Sequence, residues 1–387
     1  MKSMKVIEEV LAEPINGAQR RERVTFHEML GCSDGSVVLF GAGQLGRLCA
    51  QALKRNNIPV RAFCDRKIDL HGSVCDGVEV MSPEKAVHGF GSSSLFIVAI
   101  WTGTASEGMN ERLGYLQGQG ARLAMPFPAL LWSLGEKGMN FHSFELPSLS
   151  LSHADELRRF ANLFEDEESL ATLAALLRQR LWGIYSDEHP VPHQYFPPDL
   201  VSLGDNEAVA DGGAFNGDTL AEFMEKVGSK FSHYHAFEPD SVNLAALRQR
   251  LDGYSQHIRD QITVYEFALY SHRETLSFKS RGNPNSQIIK EKGEVSVEAR
   301  TLDEALQNRP LTFLKLDIEG AEVSALHGAQ STIRRTQPLA AVCVYHKPDD
   351  LWEIPLLLRD MLPNHRFALR QHGFDGWETV CYAIPRR

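Results

Sequence analysis

Between residues 36 and 130 short apolar runs alternate with amphipathic stretches. SVVLF, 36–40, is a β-branched apolar run, the pattern of a strand buried on both faces. In the following LGRLCAQALKRN, Leu45, Leu48, Cys49, Ala52 and Leu53 recur at helical spacing. IPVRAFCDRK reads as a second strand ending in Asp65, and SLFIVAI, 94–100, as another buried strand. This order predicts a parallel sheet with helices on its faces.

The pattern changes after about residue 145. SHADELRRFANLF and DEESLATLAALLRQRLW both read as amphipathic helices, with Leu170, Leu173, Leu177 and Leu181 on one stripe. DEHPVPHQYFPPDL is proline-rich and predicts no regular helix. Beyond it the strand–helix alternation returns. NEAVADGG, HYHAFEPD, ITVYEFALY, LTFLKLDIEG and PLAAVCVYH predict five parallel strands. Leu220, Phe223, Met224 and Val227 line the helix after the first strand, and Pro239 suits the opening of SVNLAALRQRL. HRFALRQHG and WETVCYAIP predict a closing antiparallel hairpin. The expected organisation is an N-terminal Rossmann-like domain over 1–145, a helical connector over 146–200 and a second α/β domain over 201–387.

Composition agrees with two domains. The chain has 387 residues, 43% hydrophobic and 23% charged, enough for two cores. Its net charge of −10 argues against a nucleic-acid binder. No apolar run approaches the roughly 20 residues that span a bilayer, and the first 24 residues lack a signal-like apolar core. The six cysteines form no C-x-x-C pair. A reduced, cytoplasmic setting is expected.

Two glycine loops carry the candidate chemistry. VADGGAFNGDTL, 209–220, resembles a phosphate loop but opens on Asp211. A carboxylate beside a bound pyrophosphate would repel it, so Asp211 points to a ligand bearing a cation or an amine. S-adenosylmethionine (SAM) has both. Gly212, Gly213 and Gly217 would let the backbone approach, and Glu238, at the end of the next strand, would accept the two ribose hydroxyls. Capping of the turn by Asp211 and of the next helix by Glu238 is the alternative. The second loop, GAGQLG at 41–46, places Gly41, Gly43 and Gly46 after a strand, with Asp65 19 residues past Gly46. That spacing fits a nucleotide-binding turn. It would take NAD(P) or a nucleotide-sugar, or else belong to a scaffold that only packs or forms a homo-oligomer. A working NAD(P)-dependent sugar oxidoreductase is a further alternative, although residues 1–145 show no Tyr-x-x-x-Lys set.

DGGAFNGDT, HAFEPDSVNLAAL, RTLDEAL, FLKLDIEGAEVSALHGA and VYHKPDDLWEIP, in this order, resemble the FkbM family of SAM-dependent methyltransferases over about residues 195–387. The resemblance implies a class I methyltransferase fold, a seven-stranded sheet with one antiparallel strand. It implies methyl transfer to a hydroxyl of a sugar, glycan or natural product. By position, Asp211, Gly213 and Gly217 would cradle the methionyl part, Glu238 the ribose, and Phe267 and Ala268 the adenine, while Asp317 would face the sulfonium or the acceptor. The family's G-A-N-x-G is here Gly213-Ala214-Phe215-Asn216-Gly217, so Phe215 departs from the pattern and bears on the role of Asn216. Asp317, Glu319 and His346 fall at strand ends, where α/β enzymes bind ligands. His346 is suited to accept a proton near neutrality. Together the three could instead hold Mg²⁺ or another divalent ion. The polar loop SRGNPNSQI, 280–288, could cross the acceptor site.

Overall fold

The computed structural model describes residues 2–135, 142–279, 287–288 and 295–386. The loop at 280–288 lies outside the described residues except for Gln287–Ile288. The chain divides into two compact units. One comprises Met1–Arg158, Leu170–Pro190 and Gly373–Trp377; the other comprises Arg159–Ser169, Val191–His372 and Glu378–Arg387.

The first unit is built on strands β1 (Val37–Phe40), β2 (Val60–Cys64), β3 (Val74–Cys75), β4 (Val78–Met81), β5 (Leu95–Val98) and β6 (Leu123–Pro126). Their order is β3-β4-β2-β1-β5-β6, parallel throughout except for the β3–β4 pair. β1 and β5 are buried at every position, as their unbroken apolar runs require. The helix Gln44–Arg55 buries Leu45, Cys49, Ala52 and Leu53 of the stripe its spacing predicts, while Leu48 is only half-buried. Gly46 lets this helix close on the loop, since a Cβ there would lie 1.9 Å from the Gly41 carbonyl oxygen. Two helices, Lys2–Leu11 and Ile15–Gly31, precede the sheet and escape the sequence reading. The second of them is largely polar and buries only Ala18, Glu22 and Phe26.

The second unit carries β7 (Ala208–Gly212), β8 (His233–Phe237), β9 (Ile262–Tyr265), β10 (Ala268–Leu269), β11 (Glu274–Lys279), β12 (Gln287–Ile288), β13 (Val295–Arg300), β14 (Phe313–Leu316), β15 (Leu339–Cys343), β16 (His365–Gln371) and β17 (Thr379–Pro385). Its main sheet runs β16-β17-β15-β14-β7-β8-β9, with β17 antiparallel to both neighbours and every other pair parallel. This is the α/β class expected, a seven-stranded sheet with one reversed strand. The predicted hairpin is β16–β17, and its second strand inserts beside β15. β10 to β13 form a separate small sheet in the order β10-β13-β11-β12. The helix Ser241–Asp252 is capped by Asp240, whose carboxylate accepts from Val242 N and Asn243 N, so Asp240 rather than Pro239 starts it. Among the described residues no helix is long and apolar enough to cross a membrane, and all six cysteines are free.

Candidate active site

In the parallel part of the main sheet the chain leaves each strand at one edge, and the candidate residues gather there. β7 is buried at all five positions and ends in the glycine loop. Gly213 has φ +79°, and a Cβ on it would stand 1.9 Å from the Asp317 carbonyl oxygen. Only glycine fits where the β7 and β14 loops meet. Phe215 is left-handed, at φ +47°, and its amide donates to Glu238 Oε2 at 2.9 Å. Glu238 Oε1 accepts from Asp240 N at 2.8 Å and, over 3.4 Å, from Asn243 Nδ2. Burial pushes the Glu238 carboxyl above its usual range. A cavity of about 300 Å³ opens over these loops, lined by Gly213, Phe215, Glu238, Phe267, Ala268 and, across from them, Asp317 and Glu319. Phe237 stacks on Tyr265 at 4.5 Å, and Phe267 meets both rings edge-on.

The other candidates are placed differently. Asp211 is fully buried. One of its oxygens accepts from Tyr234 Oη at 2.7 Å and the other lies 3.0 Å from Lys315 Nζ. Lys315 also donates to the Gly213 carbonyl at 2.6 Å. Burial opposes the Lys315 charge, but Asp211 and Asp317 outweigh it and hold the ammonium pKa above its usual value. The charge of Asp211 is therefore answered inside the protein rather than left for a ligand. Asn216 turns to its own loop, Oδ1 accepting from Asp218 N at 3.1 Å and its carbonyl from Arg250 Nε at 2.9 Å. Gly217 caps the helix Asp218–Val227 at φ +81°.

Asp317 lies at the cavity wall, accepting from Tyr195 Oη at 2.6 Å. His346 sits behind it, its side chain 3% exposed. His346 Nε2 is 3.3 Å from Asp317 and 3.8 Å from Glu319, and Nδ1 is 3.0 Å from Glu322. Glu322 is itself buried and accepts from Ile318 N at 2.8 Å. Burial works against a charged His346, but Glu322, Glu319 and Asp317 outweigh it and hold the imidazole pKa well above its usual value. Burial likewise works against ionised Asp317, and the His346 imidazole and the Lys315 ammonium bring it below the carboxylate range. Glu319, left-handed at φ +56°, goes the other way: burial, with the charges of Asp317 and Glu322, raises it to about 8. Ligand-type atoms of Asp317, Glu322 and His346 lie within 4.8 Å of one another. The two ring nitrogens nevertheless turn to different carboxylates, the arrangement of an imidazolium between acids.

The sequence model described as methyltransferase FkbM domain matches residues 211–375. This stretch is an FkbM methyltransferase domain. A crystal structure of methyltransferase FkbM from Methylobacillus flagellatus KT aligns with a TM-score of 0.75 at 22% identity, covering 99% of this chain and 98% of its own. That likeness concerns the fold. A Rex-family repressor (TM-score 0.22, 19% identity, 27% of this chain and 50% of its own) and a putative rRNA-methylase from Clostridium thermocellum (TM-score 0.29, 15% identity, 49% and 92%) align too weakly to carry an argument. No curated protein matches the chain. The family match gives the oxidoreductase alternative no support.

Among the lining residues that escape the sequence reading are Gln194, Tyr195, Lys315 and Glu378. Lys315 had a signal, a lysine inside the apolar strand TFLKL. Gln194 and Tyr195 come from the proline-rich segment. Glu378, left-handed at φ +52°, accepts from Tyr345 Oη at 3.0 Å and from Gln194. Burial and the Asp317 charge raise Glu378 to about 7. Three left-handed non-glycine residues thus line one cavity, as backbone strain does at functional sites.

The N-terminal loop closes on itself. Asp65 Oδ2 accepts from Ala42 N at 3.0 Å, and Oδ1 from Lys67 N at 3.0 Å. Beside it Gly43, Gln44, Arg47, Leu48 and Gln51 line a shallow surface depression. Gly41 and Gly46 shape the strand–helix crossing and do not line that depression.

Proposed function

We propose that the protein is a SAM-dependent methyltransferase acting on a hydroxyl of a sugar, glycan or natural product. The observation that carries this reading is the single cavity shared by the Gly213 loop, Glu238, Phe267 and Ala268 with Asp317 and Glu319. The residues suit SAM. Gly213 leaves bare backbone at the crowded loop junction. Glu238 Oε2 uses one lone pair on Phe215 N and keeps the other for a ribose hydroxyl. Phe267 and Ala268 form an apolar wall for the adenine. When bound, SAM would supply a methyl carbon already activated by its sulfonium.

The chain's own part is alignment and proton removal. Holding the acceptor hydroxyl in line is worth up to roughly 7 to 11 kcal/mol. In this reading Asp211 acts from beneath, fixing Lys315 and through it the Gly213 carbonyl, and Asn216 and Gly217 set the loop. Glu319 takes the acceptor proton, its raised pKa suiting a base that works near neutrality. His346 stands behind it as a positioning residue that keeps Asp317 ionised. Titration calorimetry with SAM, followed by methyl-labelled SAM and a panel of glycan acceptors, tests the proposal. Micromolar binding and label on an acceptor oxygen are expected; a folded protein that binds no SAM would sink it.

A further inference from the structure

One wall residue of the cavity is held in a backbone conformation that its side chain disfavours. Phe215 lies at φ +47°, where a bulky residue is strained. The conformation persists because the loop is pinned around it. Gly213 N and Ala214 N both donate to the Phe237 carbonyl at 3.0 Å, and Gly217 N donates to the Ala214 carbonyl at 2.8 Å. Phe215 N itself donates to Glu238 at 2.9 Å. This strain does not serve to bury the ring. Phe215 is half-buried and lines the cavity. Among the described residues, the ring contacts of this wall join Phe237, Tyr265 and Phe267 without it. Strain kept at a cavity wall, for a side chain that stays partly open, is accounted for by contact with a ligand.

Sheet order tells which part of the ligand. β7, which leads into this loop, lies between β8 and β14. Glu238 follows β8, and Asp317 and Glu319 follow β14. In the reading above Glu238 holds the ribose and Glu319 works on the acceptor. Each neighbouring strand is about 4.8 Å away. In SAM the sulfonium stands between these two ends, one carbon from the ribose ring and bonded to the methyl that leaves. It therefore falls over the β7 loop, beside Phe215. An aromatic ring attracts a cation through its quadrupole, worth roughly threefold to thirtyfold in affinity. When the methyl leaves, the sulfonium becomes the neutral thioether of S-adenosylhomocysteine, and that attraction ends.

We infer that Phe215 is a specificity-determining residue: its ring meets the sulfonium and favours charged SAM over its neutral product, so that methyl transfer itself loosens the cofactor. The inference rests on the methyltransferase reading, and its test keeps the two apart.

The full-length protein is titrated by calorimetry, without acceptor, with SAM, S-adenosylhomocysteine and sinefungin, which bears an ammonium where SAM has its sulfonium. Binding of none of the three would sink the cofactor reading. With binding established, SAM and sinefungin should each bind roughly tenfold or more tighter than S-adenosylhomocysteine. The carboxylates of the wall share in that preference, and a variant series isolates the ring's part. Phe215→Leu keeps an apolar side chain and the same left-handed backbone cost but has no π-system. It should shrink both preferences by about threefold or more, with S-adenosylhomocysteine affinity within about threefold of the parent. Phe215→Tyr should keep them. Should the leucine variant fail to fold, Phe215→pentafluorophenylalanine keeps the ring's shape while reversing its quadrupole, and the same fall is expected. A parent protein with no preference for the charged ligands overturns the inference. So does a variant that loses affinity for all three equally, which would make the ring a packing surface only, or one whose preferences are unchanged.

Discussion

At the scale of single residues the site turns on how three neighbouring groups share protons. Asp317 is held ionised and His346 charged, while Glu319 is raised from its ordinary 4.5 to about 8. A carboxyl serves as a base only when ionised, so turnover should climb as pH rises through about 8 and level off above it. The same shift acts on stability with the opposite slope. The folded state keeps a proton that the unfolded chain has lost, so this contribution is full below about 4.5 and fades as pH rises through about 8. Glu319→Gln should lower kcat by about 10²-fold and abolish the ascending limb, with SAM affinity within roughly threefold of the parent. A pH–rate profile unchanged in that variant would move the base to Asp317. Much of this site was legible. Gly213, Glu238, Phe267, Asp317 and Glu319 sit at strand ends within local motifs, and strand ends can be read from one stretch of sequence. What could not be read was which groups face a ligand. Asp211 lies in the glycine loop's motif, yet its charge is consumed by Lys315, 104 positions away in the chain. Gln194 and Glu378 meet at the cavity from segments with no shared pattern.

Asp211 and Lys315 also define the question at the scale of elements, since they are direct register partners on the adjacent parallel strands β7 and β14. The pair is almost wholly removed from water, with side chains 0% and 3% exposed. Removing one partner of such a pair typically costs about 3–5 kcal/mol, because the other charge is left buried alone. Lys315→Met should therefore shift the chemical denaturation midpoint strongly. Asp211→Asn combined with Lys315→Met should recover a large part of the loss, since no net buried charge remains. A double variant no more stable than the single one would show that the pair acts through loop geometry rather than charge. The strands themselves were legible because each is a short apolar run between turn residues. Their order was not. β17 reaches its place beside β15 by long-range pairing, which periodicity does not encode. The helix Ile15–Gly31 was missed for a related reason. Its apolar positions are too sparse to make a stripe, and partners distant in sequence hold it, Arg21 Nε donating to the Leu181 carbonyl at 2.9 Å and Glu22 accepting from Ser148 N at 2.6 Å.

For the whole molecule the decisive fact is that every described residue lining the candidate cavity belongs to the second unit. The first unit has a glycine loop of its own, but Asp65 already occupies the Ala42 amide that an anion would need. The two loops should therefore be energetically independent. The chain crosses between the units at 158/159, 169/170, 190/191, 372/373 and 377/378. A cut near residue 145 would leave Leu173, Leu177 and Trp377 without the rest of the unit in which they are buried. Independence is therefore best tested on the full chain. Asp65→Ala removes the acceptor for two loop amides, worth about 1 kcal/mol each, and should lower the stability of the first unit slightly. Its SAM dissociation constant, measured by calorimetry, should stay within about twofold of the parent, as expected for sites without shared partners. Glu238→Ala, in contrast, removes both the proposed ribose acceptor and the anchor of Phe215 N. Its SAM affinity should fall by roughly tenfold or more, given about 1.5–3 kcal/mol for a hydrogen bond to a charged group. If Asp65→Ala weakened SAM binding as much as Glu238→Ala in equally folded proteins, the cofactor site could not be confined to the second unit.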